Sequence, residues 1–107
     1  MTDFDPEKFE DKYIHYLPRL QRAYKSAFQV MNDRRDSTIV HAIDQHVLNE
    51  SEPFYEGKDA NPSFRIELPE DPYDRLPGIP VGRERFQQIL EEYIVTLQGS
   101  LEDEFLR

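Results

Sequence analysis

The chain has 107 residues, carries 22 acidic against 13 basic side chains for a net charge of −9, and contains no cysteine. Disulfides, thiol nucleophiles and cysteine-ligated zinc are therefore excluded, and the length sets one domain with a small core. No run of 18 apolar residues occurs, and residues 1–7 lack the basic and apolar segments of a signal peptide, so a cytoplasmic protein without a membrane span is expected.

The acidity opposes non-specific attraction to nucleic acid or anionic lipid. It fits either an ordinary acidic protein or one from a high-salt cell, where a Debye length of about 3 Å screens surface carboxylates from one another. The preference for arginine over lysine, nine to four, accords with the second.

In chain order, Asp5-Pro6-Glu7 has the form of a helix start, with Asp as cap, Pro in the first turn and Glu at the positive end of the dipole. Phe9, Tyr13, Tyr16 and Leu17 follow at helical spacing. Pro18 interrupts, and the series resumes in phase as Leu20, Tyr24, Ala27, Phe28 and Met31. Two helices over about 6–17 and 18–34 meet here, or one helix kinks, and the kept phase favours the kink. A third helix is expected over about 38–48, capped by Asp36 or Ser37, with Ile39, Val40, Ile43 and Val47 facing the core.

From Pro53 the pattern changes. Phe54-Tyr55-Glu56, the turn-forming residues 57–62 and the alternating Ser63–Leu68 run predict a hairpin over about 53–68, with Phe64, Ile66 and Leu68 inward. A proline-rich connection, 69–81, follows. Asp71-Pro72 can open one helical turn there, and Ile79-Pro80-Val81 can form a third, edge strand. Over about 83–104, Phe86, Ile89, Leu90, Tyr93, Ile94, Leu97 and Leu101 make one apolar stripe of an amphipathic helix, which Gly99-Ser100 is expected to fray or bend. The fold class is α+β: N-terminal helices, a small antiparallel hairpin or three-stranded sheet, and a long C-terminal helix.

The runs 4–13 (FDPEKFEDKY), 47–57 (VLNESEPFYEG) and 70–76 (EDPYDRL) resemble a family of small acidic proteins from haloarchaea. The resemblance spans nearly the whole chain. It implies an origin in a salt-rich cytoplasm, and brings with it no activity, ligand or catalytic residue.

No catalytic signature stands out. His41 and His46 lie about 140° apart around one helix, so they cannot share a face. His41 with Asp44, or His46 with Glu50, offers two ligands where a stable site needs three or four, and His15 would have to come from another helix. Neighbouring carboxylates such as Glu50 with Glu52, Glu70 with Asp71 and Glu91 with Glu92 are what an acid-rich surface yields by chance. No glycine-rich phosphate loop or nucleophile elbow is present. Pro69 with Pro72 and Pro77 with Pro80 have polyproline-ligand spacing, which a proline-stiffened connecting loop explains better.

The charge is unevenly spread. Residues 12–35 hold Lys12, Arg19, Arg22, Lys25, Arg34 and Arg35 against Asp33 alone, net +5, whereas residues 50–74 are net −6. Either these cations pair with the acidic middle of the same chain, or they meet an acidic partner. The reading is a non-enzymatic protein-interaction or self-associating module. Its contact residues are Arg19, Arg22, Lys25, Arg34, Arg35, Phe54 and Tyr55, with exposed aromatics expected at Phe54, Tyr55 and Tyr73. No catalytic, cofactor or metal residue is assigned, and nucleic acid and membrane are disfavoured as partners. The alternatives are a small metal-dependent enzyme using His41, Asp44 and His15, and an RNA-associated protein reading backbone through Arg19, Arg22, Arg34 and Arg35.

Overall fold

In a computed structural model of the chain, which describes residues 4–56, 63–78 and 80–106, the first apolar series is split in two. A 3-10 turn, Lys8–Asp11, leads into a single α-helical turn, α1 (Lys12–His15), and the long helix α2 (Leu17–Arg34) starts afresh beyond Tyr16. Tyr16 has φ −128° and ψ 13°, outside the helical region, so the expected kink at Pro18 is a break two residues earlier. Pro18 then occupies the first turn of α2, where its missing N–H costs no hydrogen bond. The 3-10 turn places residues three apart on one side, which brings both Phe9 and Lys12 into the interior. The break has a second consequence: Phe9 and Tyr16 are buried, whereas Tyr13 and Leu17, expected in the same apolar series, face outward.

Helix α3 (Ser37–His46) is capped by Asp36, whose Oδ1 accepts from the backbone N–H groups of Thr38 and Ile39 at 2.9 and 3.3 Å. Ser37 is inside the helix and its hydroxyl donates to Asn32 Oδ1. The helix stops before the expected Leu48, and a 3-10 turn, Leu48–Glu50, carries the chain into the sheet. Ile39, Val40, Ile43 and Val47 are buried as the spacing predicts.

Strands β1 (Glu52–Tyr55) and β2 (Phe64–Glu67) pair antiparallel, with Phe54 opposite Arg65 and Tyr55 opposite Phe64. The predicted turn, 57–62, lies outside the described residues. Phe64 is buried, and Ile66 and Leu68 pack partly against the core. Among the described residues the sheet has two strands, not three. Ile79 lies outside them, and Pro80 and Val81 are not in a strand; instead the Val81 carbonyl accepts from the Tyr73 hydroxyl at 2.6 Å. The helical turn expected at Asp71-Pro72 forms as a 3-10 turn, Pro72–Arg75.

Helix α4 (Arg83–Phe105) runs without interruption through Gly99 and Ser100. Leu97, Leu101 and Phe105 are fully buried around them, and that packing outweighs the glycine penalty of about 1 kcal/mol. Helices α2 and α4 make the most extensive contact in the molecule and run antiparallel, Arg19 meeting Glu104 and Arg35 meeting Glu92. Leu20, Ala23, Ala27 and Met31 of α2 join the α4 stripe in the core.

Residues Ile89, Tyr93, Leu97, Leu101 and Phe105 recur every fourth position, so the stripe drifts by about 40° per step and winds around α4. Its far end meets the hairpin in a cluster of six rings. Phe4, Phe9, Tyr16, Tyr55, Phe64 and Phe105 pack there with centroids 4.9 to 6.2 Å apart, mostly tilted or edge-on as the ring quadrupole favours.

Candidate functional site

Between the N-terminal turn and strand β1 lies an open cavity of about 580 Å³. Its walls are apolar, formed by Pro6, Phe9, Phe54 and Tyr55. Tight packing of Phe9 and Tyr55 into the ring cluster fixes two of those walls. The polar groups around it are Lys12 and the carboxylates of Glu7, Glu10 and Glu52.

Lys12 is the only charged side chain buried among the described residues, 3% exposed. A buried ammonium needs a counter-charge and further contacts. Lys12 Nζ donates to Glu52 Oε2 at 2.8 Å, and lies 4.8 to 5.4 Å from the ring centroids of Phe54, Tyr13 and Phe9. Phe54 also receives the Arg65 guanidinium at 4.7 Å, and Arg65 in turn is held by Glu56 and Glu67. Glu52 is 44% exposed, so its carboxylate is fixed by the lysine and still reaches solvent.

A second, smaller groove of about 230 Å³ is bounded by Tyr13, Leu17, Tyr24 and Leu48. Tyr24 Oη and Ser51 Oγ are 3.2 Å apart at its edge, and burial pushes the Tyr24 phenol up to about 12. Tyr13 and Leu17 of its walls are 53 and 40% exposed, and the neighbouring Ile14 is 79% exposed, so three large apolar side chains lie on the surface of α1 and the start of α2. Sequence reasoning missed this exposure, although Ile14 stands out of phase with the buried series and was the available signal.

The basic residues of 12–35 are dispersed rather than gathered. Glu104 takes both Arg19 and Arg22: Arg19 donates to its backbone carbonyl and stacks 4.6 Å over Phe105, while Arg22 Nη2 reaches its carboxylate at 2.7 Å. Arg35 pairs with Glu92 at 2.5 Å and, with Arg34 nearby, holds that carboxyl below its usual range. Internal pairing thus runs mostly to α4, not to the acidic middle; Lys12–Glu52 is the exception. Lys25 and Arg34 are exposed and make no ion pair among the described residues. The aromatics expected to be exposed are half-buried: Phe54 and Tyr55 line the cavity, and Tyr73 packs edge-on against Phe86 at 5.3 Å.

His41, Asp44 and His15 do not converge. No group of three or more His, Asp or Glu side chains suited to one metal ion occurs among the described residues. His41 packs edge-on against Phe28, 4.8 Å between centroids. Asp44 faces the buried Tyr93 hydroxyl in a geometry short of a normal hydrogen bond. Burial raises the Asp44 carboxyl above its ordinary pKa, against the pull of His41 and Tyr93, and burial with Asp44 nearby raises the Tyr93 phenol. Among the described residues no helix is long and apolar enough to cross a membrane.

Residues 1–106 match a family described as "Family of unknown function (DUF5783)", and the chain belongs to it. No curated protein and no solved structure matches the chain.

Proposed function

We propose that this family member is a non-enzymatic interaction module that pairs with a second copy of itself in a salt-rich cytoplasm. The observation that carries the reading is the exposure of three large apolar side chains within five residues, Tyr13, Ile14 and Leu17, of which Tyr13 and Leu17 line a groove. Large apolar side chains gathered on a surface mark contact sites more often than single ones do.

A second copy is favoured because a twofold interface must complement itself, and this surface carries both signs of charge. Exposed Asp11 lies three residues before Ile14, and exposed Lys25 lies two turns beyond Leu17; neither makes an ion pair among the described residues. In an antiparallel pairing of two such surfaces, each lysine approaches the other copy's aspartate. Arg19, Arg22 and Arg34 lie along α2 and Arg35 at its C-terminal cap; Arg34 makes no ion pair among the described residues and is open to a contact, whereas the others are already bound by Glu104 and Glu92. The salt-rich setting is supported by the charge of −9 and by nine arginines to four lysines.

Light scattering in molar KCl across a range of protein concentrations tests this reading. The native chain is expected to form a dimer that Ile14→Asp converts to a monomer and Lys25→Glu weakens. A native chain that remains monomeric at every concentration overturns it.

A further inference from the structure

We propose that the cavity between the N-terminal turn and strand β1 binds a small organic diammonium ion with an apolar stem. This is a ligand site separate from the self-association surface, and it does not depend on that surface being used.

Three features of the cavity converge on that ligand class. Its volume, about 580 Å³, falls within the range of about 300–1,000 Å³ that small-molecule sites occupy. Pro6, Phe9, Phe54 and Tyr55 form walls against which methylene groups lose water favourably. The charge around it is unbalanced: Glu7, Glu10 and Glu52 face a single cation, Lys12.

Lys12 cannot serve an anion from the cavity. Its ammonium is buried, bonded to Glu52 and crowded by three rings, so an entering group meets the carboxylates instead. The lysine holds Glu52 Oε2 and leaves Oε1 without a hydrogen bond among the described residues, a fixed acceptor on the wall. Glu7 and Glu10 are exposed at the mouth and make no ion pair among the described residues. Of the other cations on these elements, Arg65 is spent on Glu56 and Glu67, and Lys8, exposed between Glu7 and Glu10 in sequence, does not line the cavity. Among the lining groups the carboxylates exceed the ammonium by two, which suits a ligand with two positive charges, one at Glu52 and one beside Glu7 and Glu10. Phe54 already carries Lys12 and Arg65 over its ring, so the ligand's charge is recognised by carboxylates and its stem by the apolar walls.

The test is a titration of the full chain followed by its backbone amide NMR signals, at the lowest salt at which the native protein is folded, where exposed carboxylates are screened least. Three probes of matched length are compared: cadaverine, the neutral pentanediol and the dianion glutarate. Cadaverine is expected to shift the signals of residues 7–10 and 52–55 saturably, with pentanediol and glutarate binding at least tenfold more weakly. The double variant Glu7→Gln/Glu10→Gln, both side chains being exposed, is expected to fold normally and weaken cadaverine by about tenfold. Equal binding of the diol or the dianion, no saturable shift by cadaverine, or unchanged affinity in the double variant overturns the proposal.

Discussion

Lys12 and Glu52, forty residues apart in sequence, form an ion pair at 2.8 Å in which the lysine is 3% and the glutamate 44% exposed. The pair fastens α1 to the first strand and closes one side of the cavity. Its two halves are not equivalent. Without Glu52, a buried ammonium keeps its rings but loses its counter-charge; without Lys12, the half-exposed carboxylate is hydrated.

The first prediction is that asymmetry. Glu52→Ala is expected to cost about 2 kcal/mol or more, because it strands a buried charge. Lys12→Met, which keeps an unbranched apolar stem among Phe9, Tyr13 and Phe54, is expected to cost less than about 1 kcal/mol. Denaturant unfolding of both variants decides it, and equal losses would refute the account.

Arg19 supports a second prediction. Its guanidinium bonds the Glu104 carbonyl, approaches the Glu104 carboxylate at 3.8 Å and stacks 4.6 Å over Phe105. A lysine carries a point charge and cannot make the three contacts together. Arg19→Lys is expected to lower stability by about 1 kcal/mol. Arg22→Lys, at a side chain 62% exposed, is expected to change stability by only a few tenths of about 1 kcal/mol. Urea melts of the two variants measure the difference, and a neutral Arg19→Lys would remove the stacking argument.

The third prediction concerns pH. Asp44 has its folded pKa raised, chiefly by burial, so its contribution to stability is fully present below the unfolded pKa and is lost as pH rises through the folded one. Asp44→Asn is therefore expected to melt higher than the native chain at neutral pH, the advantage vanishing in acid. Glu92 is the opposite case, lowered first by its hydrogen bond from Arg35. Its contribution is present above the unfolded pKa and is lost as pH falls through the folded one, so Glu92→Gln is expected to melt lower at neutral pH and to converge with the native chain in acid. Thermal melts of both variants across pH check the two signs. Parallel curves for Asp44→Asn and the native chain would show that burial does not govern Asp44.

Much of the architecture was legible because helical periodicity and turn chemistry are local. The α4 stripe, the α3 face from Ile39 to Val47, the Asp36 cap and the alternation at Phe64–Leu68 are all written within a few residues of where they act. What was not legible depends on meetings across the chain. Pro18 marks a boundary in sequence, but the break falls at Tyr16, where the chain must turn to deliver that ring to Phe105. Lys12 counted only as one charge in a basic run until Glu52 and Phe54 arrived from a strand forty residues away. Gly99 signalled a weak point that burial of Leu97 and Leu101 removes. The cavity combines the N-terminal turn with β1, and no spacing rule links the two.

The fourth prediction follows from the balance of charge. Eight ion pairs among the described residues engage seven of the twenty acidic side chains there, and the chain as a whole carries a net charge of −9, a large surplus of like charge on a small surface. Salt weakens exposed pairs such as Arg65–Glu67 and Arg83–Asp74, and it also screens repulsion among the surplus carboxylates. Exposed pairs are each worth about 1 kcal/mol or less, whereas repulsion acts over every close pair of acids. Repulsion should therefore dominate, and the melting temperature is expected to rise steeply between low salt and molar KCl. The buried Lys12–Glu52 contact, shielded by its rings, is screened least, so the penalty for Glu52→Ala should persist at high salt. Circular dichroism melts at the two salt extremes test both statements. A native melting temperature independent of salt would remove the argument for a salt-rich setting, and a Glu52→Ala penalty that disappears in molar KCl would show that Lys12 is less secluded than its burial implies.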